Sequence, residues 1–232
     1  MRAMGLTTLF LLAGCNSNAQ PTQAEASREA EATVAPQTCP QFRKGEDEGE
    51  ATRPDVPAKL AAYVSATETT VTVSRDTGKP ACIDVSYGAV ERWDEFAQGR
   101  LLGVGLSGHE FNSYLVVDRG GAADPVETGR APVFSPDGRR FASVDISASG
   151  FGAFEGLGVW AIEPGKIRNI VLRRDLLELA YDWQLERWAS DDCVVFSAGD
   201  TGLDGPDERK FYELDIVASA ELSEVPRDSA CR

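Results

Sequence analysis

The stretch Pro132-Val-Phe-Ser-Pro-Asp-Gly-Arg-Arg-Phe-Ala-Ser-Val-Asp145 constrains the fold of this chain more than any other. Pro136 presets φ for the first corner of a tight turn, Asp137 bonds readily to its own backbone, and Gly138 accepts the positive φ that closes it. A strand is expected from Arg140 to Ile146. A Gly-rich break then leads to a second strand, Leu157 to Ile162, and the Pro164-Gly165 turn opens a third, Ile167 to Leu172.

The pattern recurs. Trp93-Asp-Glu-Phe-Ala-Gln-Gly-Arg-Leu-Leu-Gly-Val-Gly105 precedes Tyr114-Leu-Val-Val-Asp-Arg-Gly-Gly121, and Trp188-Ala-Ser-Asp-Asp-Cys-Val-Val-Phe196 precedes Lys210-Phe-Tyr-Glu-Leu-Asp-Ile-Val217. In each copy an aromatic residue comes first, a polar turn follows, and two strands are separated by a loop. A degenerate copy lies in Thr69 to Ser74 and Ala81 to Tyr87. The turns at Gly99, Gly138 and Asp192 recur at the spacing of propeller units that carry insertions. The phrase Phe134-Ser-Pro-Asp-Gly138 before a strand resembles the repeat of the TolB-like and WD40-like β-propellers. That resemblance implies an all-β, mainly antiparallel fold of propeller-like repeats. An irregular β-sandwich made from the same hairpins is the alternative. Two short helices are expected, Pro57 to Val64 and Arg174 to Tyr181, the second with Leu176, Leu177 and Ala180 as its buried side.

Residues 1–14 read as a signal peptide, with Arg2 followed by an apolar run from Met4 to Leu12 that is too short to span a bilayer. Its end, Leu12-Ala13-Gly14-Cys15, resembles the bacterial lipobox, which implies a mature chain that begins at a lipidated Cys15. The expected address is the periplasmic face of the cell envelope, and Asn16 in place of Asp favours the outer membrane if the cell is Gram-negative. From Asn16 to Gln37 there is no aromatic residue, and Val34 is the only branched aliphatic. Such a stretch buries too little to offset its chain entropy, so residues 15–37 read as a flexible tether with a reach of about 25 Å. The β-repeat domain is expected over residues 38–232.

Four cysteines follow Cys15, an even number that suits two disulfides in an exported domain. Cys82 and Cys193 sit in strand-like runs, while Cys39 and Cys231 mark the two ends of the folded region. The expected pairs are Cys39 with Cys82 and Cys193 with Cys231, each stapling a terminal segment to the sheet nearest in sequence. Direct closure of the ends, Cys39 with Cys231, is the rival. The chain has no C-x-x-C pair to suggest zinc.

A formal net charge of −14, with basic residues in short scattered groups, disfavours a nucleic-acid partner. His109, the single histidine, stands beside Ser107 without a G-x-S-x-G elbow, and neighbours in an extended chain point to opposite faces. Gly103, Gly105 and Gly108 spell G-x-G-x-x-G, but a strand follows them where a dinucleotide site needs a helix. Asp200, Asp204, Asp207 and Glu208 are candidate Ca²⁺ ligands in an acidic loop that departs from the EF-hand at Gly202 and Phe211. The expectation is a non-enzymatic binding or scaffolding module, lipid-anchored, with an unidentified protein partner, no assigned catalytic residue and no cofactor beyond that candidate Ca²⁺. The alternative is an envelope hydrolase using carboxylates such as Asp94, Glu95 and Asp145.

Overall fold

Fifteen antiparallel strands form four sheets, and every pairing joins neighbours in sequence. The computed structural model describes residues 39–43, 52–108, 111–146, 154–176, 180–199, 209–218, 220–228 and 231. The first sheet holds β1 (Val64–Ala66), β2 (Thr70–Val73) and β3 (Ala81–Asp84). The second holds β4 (Ala89–Phe96), β5 (Leu101–Gly108), β6 (Phe111–Asp118) and β7 (Val126–Glu127). The third holds β8 (Val133–Phe134), β9 (Arg140–Asp145), β10 (Gly156–Glu163) and β11 (Lys166–Arg173). The fourth holds β12 (Tyr181–Ser190), β13 (Cys193–Gly199), β14 (Arg209–Asp215) and β15 (Leu222–Val225). Successive four-stranded meanders are the building plan of propeller blades, whereas a sandwich has two sheets.

Helix is confined, among the described residues, to two single 3-10 turns, Ala58–Leu60 and Ala97–Gly99. The helix expected over Pro57 to Val64 stops early because Val64 already pairs with Val73 in β1. Of the second expected helix, residues 177–179 lie outside the described residues. Leu176 and Ala180 are both buried, and the Ala180 N–H donates to the Leu176 carbonyl at 3.0 Å.

The Pro136-Asp137-Gly138 turn shows why its sequence starts a strand. Gly138 has φ +67°, and its N–H donates to the Ser135 carbonyl at 2.8 Å. The Ser135 hydroxyl and the Arg139 N–H both donate to Asp137 Oδ1, at 2.7 and 2.9 Å. These bonds hold the Asp137 carboxyl below the usual carboxylate range, the Arg139 N–H contributing most. Arg140 enters β9 with its register set.

Strand alternation sends one face of each sheet against the next. Val71, Val73, Ala81 and Ile83 pack on Leu102, Val104, Leu106 and Val117, which joins the first sheet to the second. Between the second and third lies an aromatic ladder, Phe96 to Phe134 at 4.7 Å between centroids, Phe134 to Phe141 at 5.6 Å, and Phe141 stacked on Trp160 at 5.2 Å. Val144, Leu157 and Val159 meet Trp183, Val194, Phe196 and Leu214 between the third and fourth. Burying one such side chain is worth about 1.5–3 kcal/mol, so these three interfaces supply most of the favourable free energy.

A guanidinium reaches across each of these junctions. Arg75, in the β2–β3 turn, donates to the Ala123 carbonyl of the second sheet at 2.5 Å. Arg100, just before β5, donates to the Glu163 carbonyl of the third at 2.5 Å, and Arg140, the first residue of β9, donates to the Asp191 carbonyl of the fourth at 2.7 Å. Arg100 also makes two bonds to Asp118, at 3.0 and 2.8 Å, and the Asp118 side chain is only 5% exposed. Arg100→Met strands that carboxylate in the interior. It is expected to lower stability by about 3 kcal/mol in urea denaturation, and adding Asp118→Leu should restore part of the loss.

The two end sheets each have an outer face with no further sheet upon it. On the first, Thr70, Thr72 and Cys82 point away from the core, and residues 39–43 lie there. Cys39 is disulfide-bonded to Cys82 with 5.5 Å between Cα atoms, and the Thr70 hydroxyl donates to the Pro40 carbonyl at 3.1 Å. On the fourth, Cys193 points outward and is bonded to Cys231, with 5.7 Å between Cα atoms.

Candidate functional site

The glycines that spell a nucleotide motif have a structural use here. Gly103 sits on β5 between Asp94 of β4 and Val116 of β6, and a Cβ at Gly103 would collide with the Tyr114 phenol. Tyr114 therefore lies across the bare backbone, and its hydroxyl donates to Asp94 Oδ2 at 2.6 Å. Burial, then Asp94, pushes the Tyr114 hydroxyl up and keeps it a donor. His109 lies outside the described residues. Ser107 is hydrogen-bonded to Glu91.

The three carboxylates considered for hydrolysis each serve a different contact. Asp94 takes the Tyr114 hydroxyl and the Arg92 guanidinium, the latter at 2.6 Å. Glu95, its neighbour on β4, accepts from the Tyr63 hydroxyl at 2.5 Å and pairs with Lys59 at 3.1 Å. Burial, then Glu95, pushes Tyr63 up to about 12. Asp145 belongs to β9 in the third sheet and accepts from Arg130 Nε at 3.0 Å. Adjacent residues on one strand and a residue two strands into another sheet give no shared reaction centre.

Asp200, Asp204, Asp207 and Glu208 lie outside the described residues, as does Cys15. One group of possible metal donors is described: Cys193, Glu213 and Cys231 hold their ligand atoms within 4.8 Å of one another. Both sulfurs are engaged in the disulfide, and a sulfur so bonded is not the thiolate that zinc requires.

The best-formed concavity is a cleft of about 240 Å³ between the third and fourth sheets. Arg130 and Gln184 supply polar groups, Val133, Val144 and Leu185 supply apolar surface, and Trp183 lies at its base. These come from the crossover into β8, from β9 and from the start of β12, so three elements must pack before the cleft exists. Trp183 is 3% exposed and its indole N–H donates to the Ala180 carbonyl at 3.0 Å, which fixes the ring. Ser143, the hydroxyl in the lining, is buried and donates to the Thr128 carbonyl at 2.8 Å.

Charge is concentrated around the cleft. The Arg130 ion pair with Asp145 borders one side. Nearby, Asp182 takes two bonds from Arg209, one at its carboxylate and one at its carbonyl, at 2.5 and 2.6 Å. Asp182 has φ +50°, a left-handed conformation uncommon for a residue with a side chain, and it falls where the β12–β13 register breaks. The Arg209 bond holds the Asp182 carboxyl below its ordinary value. Arginine, amide and apolar surface in one concavity can hold a small polar group against a hydrophobic floor. Arg130, Trp183, Gln184 and Leu185 were not singled out in the sequence. The aromatic run Tyr181-Asp182-Trp183 was the available signal, and it reads equally well as core.

Neither a protein-family model nor a curated protein matches the chain. Among solved structures it is similar to the β-propeller domain of the Trilobed protease from Pyrococcus furiosus, described as having an open velcro topology. The identity is 11% and the TM-score 0.30, over 71% of this chain and 50% of that one. The chain thus spans half the length of that domain.

Asp145 provides a pH test of the cleft. Burial raises its pKa most, the Glu155 charge adds to the rise, and Arg130 opposes it without cancelling it. A raised folded-state pKa means that the folded form holds the proton more tightly. The contribution is fully present below the unfolded value of about 3.9 and is lost as pH rises through the folded value. Asp145→Asn removes this descent. In urea denaturation between about pH 4 and pH 7, the variant is expected to gain stability relative to the parent as pH rises, and a constant difference would contradict it.

Proposed function

We propose that this chain is a lipid-anchored binding module of the cell envelope, held through Cys15 and a flexible tether, with the cleft between the third and fourth sheets as its recognition site. The observation that carries the reading is the pair of disulfides at the two ends of the β domain, since such bonds form and persist in oxidising compartments outside the cytoplasm. Behind it stand the Arg2 leader, the apolar run and the Leu12-Ala13-Gly14-Cys15 motif. Asn16 after the cysteine favours the outer membrane.

A small cleft on a tethered domain suits the capture of a protein segment. An exposed apolar residue, Val133 at 42% exposure, stands at its rim with Arg130 beside it. An apolar side chain of the partner would enter between Val133 and Leu185, and a polar group would meet Arg130.

The experiment has two arms. Cys15→Ser is expected to abolish incorporation of labelled palmitate and to release the protein from the membrane fraction, while labelling at the parental level would remove the anchor. Cross-linking in intact cells followed by purification should then yield a partner with the parent and lose it with Leu185→Arg. Equal recovery with both would remove the cleft from recognition.

A further inference from the structure

We propose that the Cys193–Cys231 disulfide is a thiol-controlled clasp: it holds the C-terminal segment, residues 226–231, across the outer face of the fourth sheet, and its reduction uncovers that face while the sheets stay folded.

The first ground is the internal repeat. Arg100 stands immediately before Leu101, and Arg140 immediately before Phe141, two fully buried residues of the same core. Each of these arginines enters the second strand of its sheet and reaches a carbonyl of the following sheet. The position that enters the second strand of the fourth sheet, β13, is Cys193. No fifth sheet is there to receive a guanidinium, and a covalent bond to the chain's own C-terminal segment takes its place.

The second ground is what the segment covers. Val194, Phe196 and Ala198 face the third sheet, so Cys193, Val195 and Ser197 face outward. Val195 is nonetheless fully buried. Across the ladder, Phe211 is paired with Ser197 and with Val225, and Glu213 with Val195. The Arg227 guanidinium lies over the Phe211 ring, 5.6 Å from its centroid, and Cys231 is bonded to Cys193. The segment's two fixed points thus straddle Val195. Val195, Phe211 and Val225 form an apolar strip beneath a strap.

The third ground is an asymmetry between the two ends. At the first sheet the segment holds on through side chains as well as through sulfur. Phe42 N–H meets the Thr70 hydroxyl at 3.4 Å, and Gln41 Oε1 accepts from the hydroxyls of Thr67 and Thr69 at 2.9 and 3.4 Å. At the fourth sheet, among the described residues, the attachments are the disulfide, the Cys231 N–H to Cys193 Sγ contact at 3.1 Å and the Arg227 cation–π contact. Two of these three end on sulfur.

The chemistry follows from access. Cys193 is 1% exposed and Cys231 is half-buried, so an incoming thiolate attacks Cys231 Sγ. The S–S bond breaks, Cys193 leaves as a thiolate and takes a proton, and a mixed disulfide remains on Cys231. The second thiol of a dithiol reductant displaces Cys231, giving two protein thiols and one oxidised dithiol. The interface with the third sheet uses the opposite face of β13 and has no part in the exchange.

The test is hydrogen exchange on the full chain, comparing the oxidised parent with Cys231→Ser, in which Cys39–Cys82 remains intact. The expected result is a loss of protection by roughly tenfold or more in Leu222–Val225 and residues 226–231, with Val194 to Ala198 of β13 unchanged. Equal loss in β13 would show a staple of the whole domain, and unchanged protection in 222–231 would show that other contacts hold the strap. Either result overturns the proposal. Should the variant fail to fold, graded reduction of the parent with dithiothreitol and alkylation decides it. The Cys193–Cys231 bond is expected to open first in a still-folded chain, and opening of Cys39–Cys82 first, or of both together with unfolding, overturns it.

Discussion

A β-sheet has two faces, and in a chain of this size both must be covered or made polar. That requirement organises the whole domain. Four small sheets laid down in chain order bury their facing surfaces in three cores, first with second, second with third, third with fourth. The two outer faces that remain are met by segments from either side of the strand array, each pinned by one disulfide. Nearest-neighbour packing of this kind is shared with repeat proteins, whose terminal units need a distinct covering.

The polar contacts between sheets follow the same logic. Arg75, Arg100 and Arg140 each donate to a backbone carbonyl in the next sheet, where a ladder at its turns leaves acceptors without partners. Tryptophans add a second set. The Trp93 indole donates to the Asp55 carbonyl at 3.0 Å, and Trp188 to the Val133 carbonyl at 2.9 Å, each from the first strand of its sheet. The aromatic residue that opens each copy of the repeat is thus a means of joining sheets. In the third sheet Phe134 fills that role by ring contact with Phe96 and Phe141.

The fold was legible in the sequence wherever local chemistry decided the structure. The Pro136-Asp137-Gly138 turn, the strand after it and the Pro164-Gly165 hairpin depend on backbone preferences that a short stretch carries in full. The helix at Pro57 to Val64 was misread because its apolar spacing also suits an inward-facing strand end, and pairing of Val64 with Val73 decides between them. The cleft was not legible. Arg130, Ser143 and Leu185 come from three elements far apart in sequence, and nothing local marks a residue that faces another sheet. Gly103 shows the same limit from the other side: its spacing suggested a phosphate loop, while its real neighbour is Tyr114 on the next strand.

The account stands or falls on whether each end of the domain is fastened to its own sheet. If Cys39 were joined to Cys231, the first and fourth sheets would be drawn together, and the covering of both outer faces would have to be different. Proteolysis of the exported protein under non-reducing conditions, with free thiols blocked beforehand, followed by mass spectrometry of the linked peptides, measures this directly. The account predicts peptides joining Cys39 to Cys82 and Cys193 to Cys231, and a peptide joining Cys39 to Cys231 would contradict it.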